Sequence, residues 1–302
     1  MVMKDVQDRI DEAYRVLSSC CLCGNNCRAN RLEGEKGKCK SGSEVMVSSY
    51  NLHFGEEPPI SGSSGSGTIF FTNCSLNCVY CQNYPISQLG NGNPVTTKRL
   101  AQMMMELQSR GAHNINLVTP THFIPQIIEA FFLARESGLV LPLVYNTSGY
   151  ESREGLELLH GIIDVYLVDM RYSDSKMAQL YSGVEHYVEI NRAAVKEMFC
   201  QVGNLSLDRS GMARSGVIIR HMVLPSGLAG SGKTFEFIAQ EVSGEAWVSL
   251  MDQYFPAYQA GRHPPLKRKT TEQEYLRAEE AFFESGLKKG WVQERMVKDE
   301  VF

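Results

Sequence analysis

Cys74, Cys78 and Cys81 form a Cys-x3-Cys-x2-Cys run directly after the apolar stretch Thr68-Ile-Phe-Phe-Thr72. Cysteine thiolates are soft donors that suit iron-sulfur clusters, and a 4Fe-4S cube held by three of them leaves one iron open to a substrate or cofactor. The alternative, a tetrahedral zinc site, needs a fourth donor that the neighbouring sequence does not supply.

A second group, Cys20, Cys23, Cys27 and Cys39, has gaps of two, three and eleven residues. Four thiolates suffice for a closed zinc site or a fully ligated second iron-sulfur cluster, and a metal-free reduced loop is the third reading. With four ligands no coordination position stays open, so this group implies structure or electron transfer. Cys21 reads as spare. Cys200 sits in the apolar helical pattern 193–202 and is expected to be a buried core thiol.

The 302 residues carry 30 basic and 34 acidic side chains, a net charge of −4, which argues against a general nucleic-acid or anionic-membrane binder. No apolar run reaches the length of a membrane span, and residues 1–17 mix charges where an export signal would have an apolar core. The expected location is the cytoplasm, where nine cysteines, an odd number in two clusters, suit metal binding better than disulfides. Val6, Ile10, Tyr14 and Leu17 fall at helical spacing, so the opening reads as an amphipathic helix packed on the body of the protein.

These cysteines must be held by regular elements. Strand patterns appear at 68–73, 114–119, 141–146, 165–169, 217–224 and 247–251, alternating with helical patterns at 97–110, 124–137, 155–160, 175–182, 191–202 and 234–242. Alternation of this kind gives an α/β fold with a parallel sheet, and such sheets place function at the carboxyl ends of their strands. Those ends carry Cys74, Thr121-His122, Asn146-Thr-Ser148, Asp169-Met-Arg171 and Pro225-Ser-Gly227. The turn-rich segment from Gly55 to Gly67 suggests a boundary near residue 60. Three parts follow: 1–60 as an N-terminal helix and cysteine-rich metal module, 61–260 as the main domain, and 261–302 as a tail. In the tail, Thr271-Glu-Gln-Glu274 has capping-box spacing for a closing helix that runs to about residue 285.

The segment from Gly65 to Asn83, with aromatic Tyr80 just before the last cysteine, resembles the cluster loop of the radical S-adenosylmethionine (SAM) superfamily. Within it, the chain is similar to proteins related to pyruvate formate-lyase activating enzyme. Gly55-Glu-Glu-Pro58, Asn116-Leu-Val-Thr-Pro-Thr-His122, Tyr145-Asn-Thr-Ser-Gly149 and Leu250-Met-Asp-Gln-Tyr254 extend the likeness over most of the chain. The resemblance implies a partial (β/α)6 barrel, a 4Fe-4S cluster on Cys74, Cys78 and Cys81, and SAM chelating the fourth iron. It also implies anaerobic chemistry: an electron from a reductant such as ferredoxin or flavodoxin cleaves SAM to a 5′-deoxyadenosyl radical, which takes hydrogen from a substrate. That substrate is a glycine of a partner protein in the activating-enzyme reading, and a peptide or small molecule in the alternative.

By the same resemblance Asp169 and Arg171 match an acidic-then-basic pair on the fourth strand, and Arg171 is expected to pair with the SAM carboxylate. Asn146 and Ser148 are expected to bond the ribose or methionine part, and Tyr80 and Thr119 to border the cofactor. Ordinary polar residues at loop entrances are the competing reading for these positions. The chain departs from the superfamily's Gly-Gly-Glu motif after the second strand, where Val118-Thr-Pro-Thr-His122 stands instead; backbone at Thr119 is left to receive the SAM ammonium. His122 and His221 read equally as substrate-side donors or as satisfied structural groups.

Two further readings stay open. Gly227-Leu-Ala-Gly-Ser-Gly-Lys-Thr234 is formally a phosphate loop, in which Lys233 would meet phosphate and Thr234 magnesium, or else a Gly-rich turn and helix cap. A non-enzymatic metal-stabilised module, with zinc at both cysteine groups and the basic 262–269 segment on phosphate, is the other.

Overall fold

In the computed structural model, which describes residues 3–293, elements follow the chain in this order. Helix α1 (Met3–Arg15) leads through the cysteine-rich loop to β1 (Val45–His53), α2 (Pro58–Ser61), β2 (Ser66–Phe71), α3 (Tyr84–Ser87) and β3 (Asn93–Val95). Then come α4 (Thr97–Ser109), β4 (Ile115–Val118), α5 (Ile124–Glu136), β5 (Leu143–Thr147), α6 (Arg153–Leu159) and β6 (Val165–Asp169). The remainder is α7 (Ser175–Ser182), α8 (Tyr187–Val202), β7 (Ser206–Leu207), β8 (Ala213–Met222), α9 (Ser231–Phe237), β9 (Trp247–Met251), α10 (Glu272–Glu284) and β10 (Lys289–Val292). Residues 1–2 of the expected opening helix and 294–302 of the expected tail lie outside the described residues.

The sheet order is β10-β9-β8-β6-β5-β4-β2-β1-β3, an open path. Strands from β2 to β10 along it pair in parallel, whereas β1 runs antiparallel to both β2 and β3. This is the α/β fold with a mostly parallel sheet expected from the alternation, and it fits a partial barrel. The six expected parallel strands are β2, β4, β5, β6, β8 and β9; β1, β3, β7 and β10 were not read from the sequence.

Period-two alternation divides the sheet into two faces. Ile115, Leu117, Leu143, Tyr145, Tyr166, Val168, Ile219, Val248 and Leu250 join the core that the helices cover. The intervening residues point to the other face, where Ile60 packs with Val144, Val165, Leu167 and Ile218. The same inward register carries Asn116, Asn146, Asp169, Arg220 and Ser249. Helix α4 shows why the outer layer forms: Leu100, Met103, Met104 and Leu107 recur at helical steps and are buried, and Thr96 caps the first turn by accepting from the Arg99 N–H at 3.1 Å. Such a cap contributes about 1 kcal/mol.

Three expectations need correction. The Gly55–Gly67 segment does not behave as a linker: it forms α2 and enters β2, Ile60 is fully buried, and the Asn114 side chain donates to the Ile60 carbonyl at 2.7 Å. Strand β1, on the amino side of the expected boundary near residue 60, belongs to the same sheet. Cys200 is exposed, because α8 buries Asn191, Ala194, Val195 and Met198, and the helical period turns position 200 away from that face.

The closing helix α10 has its capping box, with Thr271 and Glu274 bonded reciprocally. Glu274 also takes both arms of Arg268 at 2.7 Å, which neutralises part of the basic 262–269 segment. Among the described residues no helix is long and apolar enough to cross a membrane.

Candidate active site

The cysteine loop leaves the carboxyl end of β2 through Asn73, whose φ of 68° is a left-handed turn that asparagine tolerates. Hydrogen-bond donors gather on its sulfurs. The Leu76 N–H lies 3.4 Å from Cys74 Sγ, Ser182 Oγ lies 3.0 Å from Cys78 Sγ, and Ser87 Oγ lies 3.0 Å from Cys81 Sγ. Arg171 adds its Nη1 at 3.3 Å from Cys78 Sγ.

Burial pushes the Cys74 thiol up to about 12, and the neighbouring Cys78 and Cys81 push the same way. Burial also raises Cys78, against the opposing pull of Arg171. Thiols so placed need a cationic centre to become thiolates, and donors aimed at their sulfurs suit the anionic state. Three soft ligands with polar support therefore fit a 4Fe-4S cluster.

Beside the loop a cavity of about 610 Å³ opens on the inward face and carboxyl ends of the strands. Cys74, Thr119, Asn146, Ser148, Asp169 and Arg171 all line it. Asp169 accepts from Arg171 Nη2 at 2.6 Å and Nε at 3.2 Å. Burial works against the Arg171 charge, yet Asp169 and Cys78 outweigh it and hold the guanidinium above its usual range. Thr119 has a φ of 58°, an outlier for a β-branched residue, and its N–H donates to the Asn146 carbonyl at 2.9 Å.

Tyr80 is not among the cavity lining. It lies buried beneath the loop, where its hydroxyl meets that of Tyr172 at 2.6 Å; Tyr172 in turn meets Ser182 at 2.8 Å, and Ser182 meets Cys78. Tyr80 thus supports a sulfur through two intermediaries.

Sequence reasoning missed the cavity's most heavily charged feature. Arg220 Nε donates to Glu57 Oε1 at 2.8 Å, its Nη2 to Glu57 Oε2 at 2.9 Å, and Nη2 also reaches Glu56. Glu56 accepts from Asn116 at 3.1 Å and Asn146 at 3.4 Å. Burial would raise Glu57, but Arg220 wins and lowers it. Strand pairing sets Arg220 in the inward register of Asn146 and Asp169, a relationship that the sequence pattern does not fix.

His221 takes the opposite register and is fully buried. Its Nδ1 sits 2.7 Å from the Met170 carbonyl and so carries the proton, leaving Nε2 to accept from Ser231 Oγ at 2.9 Å. His122 donates from Nε2 to the Thr72 carbonyl at 2.7 Å. Burial lowers His122 to about 3 and His221 to about 4. Both are neutral structural groups away from the cavity.

In the formal phosphate loop, Thr234 is buried and turns its hydroxyl back on the Gly230 carbonyl at 3.3 Å, a helix contact where a magnesium ligand would need freedom. Lys233 is exposed. The geometry is that of a turn leading into α9.

Cys20, Cys23 and Cys39 come together in the N-terminal loop. Burial pushes Cys23 up to about 12, with added opposition from Cys39 and Cys20, and burial likewise raises Cys39. Cys27 packs against Gly37, where a Cβ would overlap its sulfur. Among the described residues no three Cys, His, Asp or Glu side chains gather tightly enough to grip one metal ion. A second cavity of about 600 Å³, lined by Cys21, Cys23, Glu151 and Cys200 between this loop, α6 and α8, lies on the outer helical layer, away from the inward polar register.

Comparison with known proteins bears on the family and the fold. A family model described as the radical SAM superfamily matches residues 68–202. An uncharacterized protein of Methanocaldococcus jannaschii is 30% identical over 283 residues, spanning 89% of this chain and 76% of that one. The crystal structure of a radical SAM methyltransferase from Sphaerobacter thermophilus superposes with a TM-score of 0.53 at 13% identity. That match covers 75% of this chain and 65% of the other, and it is a likeness of fold.

Proposed function

Because the chain belongs to the radical SAM superfamily, we propose that it binds a 4Fe-4S cluster on Cys74, Cys78 and Cys81 and SAM in the adjoining cavity, and takes hydrogen from a glycine of a partner protein. The observation that carries this reading is the meeting of Cys74 and Arg171 on one cavity at the strand ends. When bound, the cluster supplies the electron that cleaves SAM to methionine and a 5′-deoxyadenosyl radical.

The protein's own part is binding and orientation. Arg171, fixed by Asp169, presents a cation for the SAM carboxylate. Strained backbone at Thr119 and the Asn146 amide offer polar contacts where the usual carboxylate motif is missing. Ser148 lies at the same rim, with its carbonyl tied to the Tyr187 hydroxyl at 2.9 Å. Arg220, Glu56 and Glu57 form a hydrogen-bonded polar floor of the same cavity. A reductant of the ferredoxin or flavodoxin class supplies the electron.

Anaerobic incubation with SAM, dithionite and a candidate partner carrying deuterated glycine tests the proposal. Deuterium in 5′-deoxyadenosine and a carbon-centred radical signal on the partner support it. Label arriving only from deuterated small molecules or short peptides would reassign the substrate.

A further inference from the structure

The two cysteine groups adjoin in space. Cys39 and Cys74 line one small cavity of about 160 Å³, together with Asn25 and Ser75. Their loops are bonded across it. Asn25 Nδ2 donates to the Ser75 carbonyl at 2.7 Å, Asn73 Nδ2 to Ser41 Oγ at 3.0 Å, and Lys40 Nζ to the Gln88 carbonyl at 3.4 Å. Ser75 follows Cys74 directly, and Ser41 stands two residues after Cys39.

Inside the N-terminal loop Arg31 is fully buried. Its Nε and Nη2 donate to the Gly42 carbonyl at 3.1 and 2.5 Å, and its Nη1 lies 3.7 Å from Cys20 Sγ. None of these acceptors is a carboxylate. A buried cation without a counter-charge is strongly unfavourable, and a thiolate set at Cys20 and its neighbours supplies that charge. Asn26, Arg28 and Lys40, which flank Cys27 and Cys39, take left-handed φ values of 42°, 55° and 60°.

We propose that Cys20, Cys23, Cys27 and Cys39 hold a second iron-sulfur cluster that relays single electrons to the site at Cys74, Cys78 and Cys81. The destination of the electron rests on the proposed function. A ferredoxin- or flavodoxin-class donor loses one electron, the second cluster gains it and passes it on, and cleavage of one SAM consumes it. No bond or proton changes hands in the relay. Over residues 28–40, Arg28, Lys36, Lys38 and Lys40 are exposed against Glu33 and Glu35, a net positive surface suited to an acidic donor.

The test is anaerobic reconstitution with iron and sulfide, followed by metal analysis, electron paramagnetic resonance and 5′-deoxyadenosine assays with dithionite or with reduced flavodoxin. Wild-type protein should hold about eight irons per chain, in two clusters of which SAM perturbs one. Cys27→Ser should hold about four irons and keep its dithionite-driven rate within about twofold, while the flavodoxin-driven rate falls at least about tenfold. About four irons in the wild type, or stoichiometric zinc, overturns the proposal without recourse to any variant. An undiminished flavodoxin-driven rate in a Cys27→Ser protein that has lost the second cluster overturns the relay. Full iron loading with no 5′-deoxyadenosine under dithionite would instead sink the proposed function and leave the second cluster supported.

Discussion

Arg171 ties the cysteine loop to the strand-end cavity, with Nη1 3.3 Å from Cys78 Sγ and Nη2 2.6 Å from Asp169. The guanidinium sits where a carboxylate ligand and an anionic cluster would both meet it. Arg171→Ala is expected to weaken SAM binding by roughly tenfold to a hundredfold, the worth of a charged hydrogen bond at about 1.5–3 kcal/mol. Arg171→Lys should fall between, since an ammonium lacks the fork that spans both partners. Anaerobic calorimetry checks this, and unchanged affinity in the alanine variant would remove Arg171 from the cofactor site.

Removing Arg220 leaves two buried carboxylates facing each other. Arg220→Met is expected to destabilise the fold by about 3–5 kcal/mol, and adding Glu56→Gln and Glu57→Gln should restore part of that. Urea unfolding of the single and triple variants measures both. A loss below about 1 kcal/mol in the single variant would show that the floor is not held by this network.

A pH dependence follows from His122 and His221, whose folded values of about 3 and about 4 lie below the unfolded value near 6.5. The unfolded chain binds protons first as pH falls through 6.5, so stability contributed by these groups is present above that pH and is lost on the way down to about 4 for His221 and about 3 for His122. Each contributes a slope of at most about 1.4 kcal/mol per pH unit. His221→Gln should flatten the difference in stability between pH 7 and pH 5. Equal slopes in wild type and variant would contradict the buried neutral assignment.

Most of the parallel sheet was legible because its strands are apolar runs between helical patterns. Strand β1 was hidden by polar alternation, Ser49 and Asn51 being exposed among apolar positions, and by its place beside the cysteine loop. Strand β10 is four residues with a glycine inside, too little pattern to read. In the site, the meeting of Cys74 with the Asp169–Arg171 pair at the strand ends could be anticipated because each group lies within a short stretch next to a strand pattern. The Arg220 network joins residues 163 and 164 positions apart, and only strand pairing fixes that Arg220 faces inward while His221 faces out. Tyr80 misled because nearness to Cys81 in sequence does not place its ring in the cavity.

Lys233→Ala is expected to keep SAM cleavage within about twofold of wild type, since the side chain is exposed at the start of α9 and outside the cavity lining. Wild-type protein should show no magnesium-dependent ATP hydrolysis. Tight ATP binding that the variant loses would make the Gly227–Thr234 turn a working phosphate loop.

The central claim is that Cys74, Cys78 and Cys81 hold the cluster at which SAM is cleaved. The most direct measurement is 5′-deoxyadenosine formation under dithionite by wild-type protein and by Cys74→Ala, Cys78→Ala and Cys81→Ala, each reconstituted anaerobically and checked for folding by circular dichroism. Wild type should form the product, and each folded variant should form none. Undiminished product from any one of them would contradict the account.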